Sequence, residues 1–180
     1  MYDARQIANF LLDEADERRL AITHLALQKL VYFCHGLSYS RFGRPLILNR
    51  VEAWKRGPVI RELYFSFNKF GDLPITERAK LMNVQTRVEE IIHYEFPASI
   101  CSHLEEVLRI YGPLSASRLV AMTHEKGTPW ARTISQAENS ANVGMHIAED
   151  FIREFFAPKL VKQECNANIN GSEQVQILRQ

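Results

Sequence analysis

A chain of 180 residues with 46% hydrophobic content can bury a core of ordinary size, and its length fits one domain with a tail. A formal net charge of +1 gives no global pull toward nucleic acid or an anionic membrane. The N-terminus lacks a basic region followed by an apolar one, no apolar run nears the ~20 residues of a membrane span, and Cys34, Cys101 and Cys165 lie far apart, as reduced thiols of a cytoplasmic protein do.

Helical periodicity then dominates. Asp3 and Gln6 are spaced as a capping box, and Ala4, Ile7, Ala8, Leu11 and Ala15 form one apolar stripe behind them. Thr23 caps a second helix, "HLALQKLVYFCHGLSYSRFG", which is apolar on nearly every side and therefore predicted to be central, with Gly43 as its stop. "RPLILNRVEAW" reads as an extended connection with room for one strand. In "EAWKRGPVIRELY", Pro58 takes the first position of a helix predicted to reach Phe70, with Val59, Leu63, Phe67 and Phe70 inward and Gly71 as its end.

Residues 72–83 carry no helical stripe and read as a loop or small hairpin. Val84, Val88, Ile91 and Ile92 predict a further helix. Pro97 opens the next one, on which Ile100, Leu104, Val107, Leu108 and Tyr111 share a face. "YGPLSASRLVAMTHEKGTPW" gives a Gly-Pro stop, a serine cap, a short helix and a Gly-Thr-Pro turn. A last helix carries Ala148, Phe151, Ile152, Phe155 and Phe156 and is closed by Pro158. The expected fold is mainly α: a compact multi-helix single domain over residues 1–157, with a short extended or hairpin segment between helices. Residues 158–180 read as a polar tail, flexible or partner-dependent, whose "VQILR" has the pattern of a strand that adds to another sheet.

The signatures of catalysis fail on spacing. His124-Glu125 begins a zinc-protease motif, but the position four residues after His124 is Thr128, where the second histidine should stand. Cys34 and His35 are adjacent, and Cys101 and His103 are two apart, so each pair faces apart on a helix. Cys34 fits a small core hydrophobe. Charge is uneven: Arg41, Arg44, Arg50, Lys55, Arg56 and Arg61 share a window with Glu52 alone against them, while Glu89, Glu90, Glu95, Glu105 and Glu106 gather later. Two solvated faces attracting each other within the fold would explain this, and so would a patch for an acidic protein surface or for phosphate groups.

"LALQKLVYFCHG", "EAWKRGPVIRELY" and "THEKGTPW", in that order, resemble the Panacea, or SocA-like, antitoxin domain. The first block matches at Leu27, Lys29, Leu30, Tyr32 and Phe33, and the second at Glu52, Ala53, Trp54, Gly57, Pro58, Val59, Leu63 and Tyr64. The third matches at Thr123, His124, Glu125, Pro129 and Trp130, with Lys126-Gly127-Thr128 as a spacer longer than the usual one. The resemblance implies a mostly helical domain that neutralises a cognate protein toxin by direct binding, without a catalytic residue, a metal or a cofactor. One branch of the family resembles a proteolytic adaptor that hands its toxin to a Clp-type protease.

The residues nominated for partner binding are Trp54, Lys55, Arg56, Arg61 and Tyr64, joined by His124 and Trp130, because Trp, Tyr and Arg most often anchor interfaces. The plainer reading of Trp54 is a core plug that packs on Trp130 and pins two Pro turns together. A competing reading uses the same groove for chemistry through His124, Glu125 and Cys34, or for nucleic acid through the basic 41–61 segment. The modest basic window and the lack of a recognition-helix motif disfavour the latter. Neither the toxin's identity nor the oligomeric state is encoded in these motifs.

Overall fold

Asp3 opens α1 (Ala4–Glu17) with the full capping box: its carboxylate accepts from the Arg5 N–H, and its own N–H donates to Gln6 Oε1 at 3.1 Å. The predicted stripe from Ala4 to Ala15 is buried throughout. α2 (His24–Phe42) is capped by Thr23 and ended by Gly43 at φ 67°, where a glycine enters the left-handed region without strain. It is the central helix, packed against α1, the hairpin and the C-terminal helices, and Leu27, Leu30, Val31 and Cys34 are sealed in the core. A computed structural model describes residues 1–137 and 144–157. Pro158, the predicted tail over 158–180 and its "VQILR" segment lie outside the described residues.

The segment after α2 corrects the first expectation. β1 (Val51–Trp54) and β2 (Gly57–Ile60) form an antiparallel hairpin with Val51 opposite Ile60 and Trp54 opposite Gly57. Pro58 therefore sits in a strand opposite Ala53, and α3 (Arg61–Phe67) begins only after it, followed by one 3₁₀ turn at Asn68–Phe70. Gly57 has φ 93°, whereas Lys55 and Arg56 have no positive φ. That combination is a turn closed by a left-handed glycine bulge, not the primed turn that needs two positive φ values. Residues 145–147 lie along the other side of β1: the Ala53 N–H donates to the Met145 carbonyl at 2.7 Å and the Ile147 N–H to the Val51 carbonyl at 2.8 Å.

The second correction follows directly. β3 (Lys80–Met82), inside the segment read as a loop or small hairpin, pairs antiparallel with β4 (Glu89–Ile91), which stands where Val84 to Ile92 predict a helix. Val84 is 88% exposed and Val88 56%, so their four-residue spacing marks no buried face. Asn9, buried on α1, bolts the base of this hairpin. Its Nδ2 donates to the Ala79 and Ile92 carbonyls at 3.1 and 2.8 Å, and its Oδ1 accepts the Ala79 N–H at 2.7 Å.

α4 (Ala98–Tyr111) buries Ile100, Leu104, Val107 and Leu108 as the spacing predicts. α5 (Ala116–His124) is capped by Ser115. α6 (Pro129–Gln136) extends what the sequence offers as a turn: Thr128 caps it and Pro129 takes its first position. α7 (Glu149–Phe156) docks on α2, with Glu149 Oε1 2.7 Å from His35 Nε2 and accepting the Tyr39 hydroxyl at 2.5 Å. The Phe156 ring lies 2.4 Å from where a Cβ on Gly36 would be, so a larger residue there would displace that ring. With seven helices and two two-stranded sheets among the described residues, the architecture is mainly α. No described helix is long and apolar enough to cross a membrane.

Candidate functional site

α2 lays two polar side chains along the outer edge of β2. The Gln28 amide donates to the Ile60 carbonyl at 3.1 Å and accepts the Ile60 N–H at 2.9 Å, so it stands in for a neighbouring strand. Lys29, fully buried, donates from Nζ to the Pro58 carbonyl at 2.7 Å. A proline is tolerated in this edge strand because no N–H is required of it, while its carbonyl still finds a donor. The chain passes very close here: a Cβ on Gly57 would lie 2.6 Å from Thr123 Oγ1 and 3.0 Å from Lys29 Nζ.

Burial pushes the Lys29 ammonium down to about 7. A lysine with a depressed folded-state pKa holds fewer protons folded than unfolded, so stability rises with pH between the two values. From pH 7 to about 7.8, before unfolded cysteine ionises appreciably, the protein is expected to gain up to about 1 kcal/mol per pH unit in urea unfolding. Lys29→Met should remove that slope, and a flat wild-type profile would mean that the ammonium keeps its water.

The tip of the hairpin is pinned from α5 and α6. The Trp130 indole N–H donates to the Trp54 carbonyl at 2.9 Å, and His124 Nε2 lies 3.3 Å from the Lys55 carbonyl. His124 Nδ1 is 2.8 Å from the Val120 carbonyl of its own helix, and its ring rests on Trp130 with centroids 3.8 Å apart. Thr128 Oγ1 donates to the Thr123 carbonyl at 2.8 Å, tying α6 to the end of α5. On β1 itself, the Trp54 indole N–H donates to Glu52 Oε2 at 2.7 Å. Glu52 is buried, and Arg61 Nε approaches its other oxygen at 3.7 Å. The backbone carbonyls of Trp54 and Pro58 are thus held by side chains from α6 and α2, with His124 of α5 packed beside that of Lys55.

What this fixes in place is a groove of about 430 Å³ between the hairpin tip, the start of α2 and α3. Trp54, Tyr64, His24 and Leu25 line it, and Lys55 and Arg56 stand exposed on its lip. Tyr64 joins the walls, its ring 4.9 Å from that of Trp54 and 5.3 Å from that of His24.

Of the residues nominated from sequence, Trp54, Lys55, Arg56 and Tyr64 meet at this groove. Arg61 turns instead to a second depression shared with Arg50, Glu52, Glu62 and His146. His124 and Trp130 sit behind the hairpin and face its backbone. The two tryptophans do meet, but by a hydrogen bond and not ring on ring, and both are half-buried. The basic window divides over several surfaces, since Arg41 pairs with Glu106 at 2.5 Å, away from the hairpin. Cys34 is sealed in the core, where burial pushes its thiol up, the opposite of an activated nucleophile. His103 Nε2 bonds the Cys34 carbonyl at 2.8 Å, not its sulfur. No described group of His, Cys, Asp and Glu is arranged to hold a metal. Gln28 and Glu52 were missed as parts of the site. A polar pair, Gln28-Lys29, on an otherwise apolar helix was the signal available for the first.

The family model described as "Antitoxin SocA-like, Panacea domain" matches residues 27–131. Antitoxin SocA of Caulobacter vibrioides (strain NA1000 / CB15N) is 37% identical over 154 residues, which cover 86% of this chain and 82% of that protein. No solved structure matches. The span matched by the family model begins inside α2 and ends inside α6, so it contains the hairpin together with Gln28, Lys29, Thr123, His124 and Trp130 around it.

Proposed function

The chain belongs to the SocA-like Panacea antitoxin family, and from that membership we propose that it neutralises a cognate protein toxin by binding it directly. The observation that carries the reading is how the family-matched segment spends its polar residues. Lys29 and Trp130 hold one hairpin by its backbone carbonyls, with His124 packed beside them, and the result is a fixed aromatic groove with a cationic lip. Exposed cations beside half-buried Trp and Tyr have the composition of an interface anchor. In this reading Trp54, Lys55, Arg56 and Tyr64 touch the toxin, Arg61 flanks them, and His124 and Trp130 support them from behind. The domain over residues 1–157 acts in the cytoplasm without catalysis.

The test is co-expression with the product of the neighbouring reading frame, scored for growth and for co-purification. Growth arrest by the neighbour, relieved by this protein together with a stable complex, is the expected result. Relief without a complex would favour delivery to a Clp-type protease. Absence of arrest with each adjacent frame would overturn the reading for this locus.

A further inference from the structure

We infer that the groove takes an apolar side chain from an acidic segment of the toxin, whose flanking carboxylates meet Lys55 and Arg56. This rests on the antitoxin reading and names the partner chemistry at that site. Strand addition is closed off at this hairpin. The outer edge of β2 is occupied by Gln28 on Ile60 and Lys29 on Pro58, and that of β1 by residues 145–147. A partner must therefore be read through its side chains.

The floor suits an apolar one, because Leu25, Val59, Trp54 and Tyr64 line it and its 430 Å³ lies in the range of ligand-sized clefts. The rim suits an acid. Lys55 and Arg56 are exposed and form no ion pair among the described residues, whereas Arg41 is already matched by Glu106. The first two residues of α2, His24 and Leu25, line the same groove, so the partly positive end of that helix lies close to it. Asp72 is the acid among the lining residues. Two adjacent cations without a continuing basic track match a pair of carboxylates better than a run of phosphates. Because the carbonyls of Trp54 and Pro58 are already held, little ordering remains to be done on binding.

The probe is the toxin identified by the co-expression test, titrated against the full-length protein. The double variant Lys55→Glu, Arg56→Glu is expected to weaken the complex about 100-fold while melting like the wild type, since both side chains are exposed. Wild-type affinity should fall as salt is raised, and that of the double variant should not. A photo-crosslinking benzoylphenylalanine at position 68, where Asn68 lines the groove away from the two cations, should capture a toxin peptide with Asp or Glu beside an apolar residue. If the wild type binds and the double variant binds equally well, the inference falls and the antitoxin reading stands. If the wild type forms no complex with a toxin, both fall. Salt-sensitive binding of a mixed-sequence DNA duplex that the double variant loses would reassign the lip to phosphate and overturn the inference.

Discussion

Gly57→Ala is expected to melt about 10 °C below the wild type in scanning calorimetry, the result of about 3 kcal/mol lost from two separate causes. The first is the backbone: at φ 93° an alanine is held in a region that costs a non-glycine residue about 1–3 kcal/mol. The second is space, since the new methyl would sit 2.6 Å from Thr123 Oγ1. Thr123 cannot swing away freely, because its hydroxyl donates to the Val120 carbonyl at 2.7 Å. Adding Thr123→Ala separates the two causes. The double variant should recover the steric part and keep the backbone part, which gives a coupling energy well above the error of additive sites. A single-variant shift under about 2 °C would mean that neither the left-handed φ nor the contact with Thr123 carries its expected cost.

Asn9→Asp is the second large effect, although it changes the side chain by one atom. The amide Nδ2 donates to the carbonyls of Ala79 and Ile92, and a carboxylate oxygen in its place would face both acceptors with its charge buried. A loss of about 3–5 kcal/mol at neutral pH is expected in urea unfolding. Protonation restores one donor, and this buried acid would bind its proton more tightly folded than unfolded. The variant should therefore recover stability as pH falls, opposite to the usual acid destabilisation. Amide hydrogen exchange at Ala79 and Ile92 should accelerate in parallel, because Asn9 joins both to α1. A variant that unfolds at the wild-type urea midpoint would show that this amide is not what secures the second hairpin.

α1, α2 and α4 were legible because each repeats its apolar residues against a core. The stripe on α1, the all-round apolar character of α2 and the face of α4 are direct readings of burial. The first hairpin was not, and of the second only the β3 side was, through the loop-or-small-hairpin reading of residues 72–83. Gly57-Pro58 fits both a helix start and a glycine bulge leading into an edge strand, and only the tertiary partners, Gln28 and Lys29, decide between them. Val84, Val88, Ile91 and Ile92 have helical spacing by coincidence: the first three project into solvent, where no core imposes a period. α6 was missed although Thr128-Pro129 is a strong start signal, since the helix behind it is short and largely polar. At the site, the residue types that line the groove could be named from sequence. The division of labour could not, because which of Trp54 and Trp130 faces outward depends on contacts between α6 and a strand far upstream.

The three residues 145–147 also set a schedule. The two strands of the first hairpin can meet as soon as Ile60 is made, yet the outer strand that flanks them is roughly ninety residues behind on the ribosome, or about 5–20 s of translation. Trp130, which holds the tip, arrives only slightly earlier. Local pairing comes cheaply to a growing chain and distant closure does not, so the face with the cationic lip is among the last parts of the molecule to set. Messages cut short before Met145 would still encode most of the core while yielding a hairpin with one side bare.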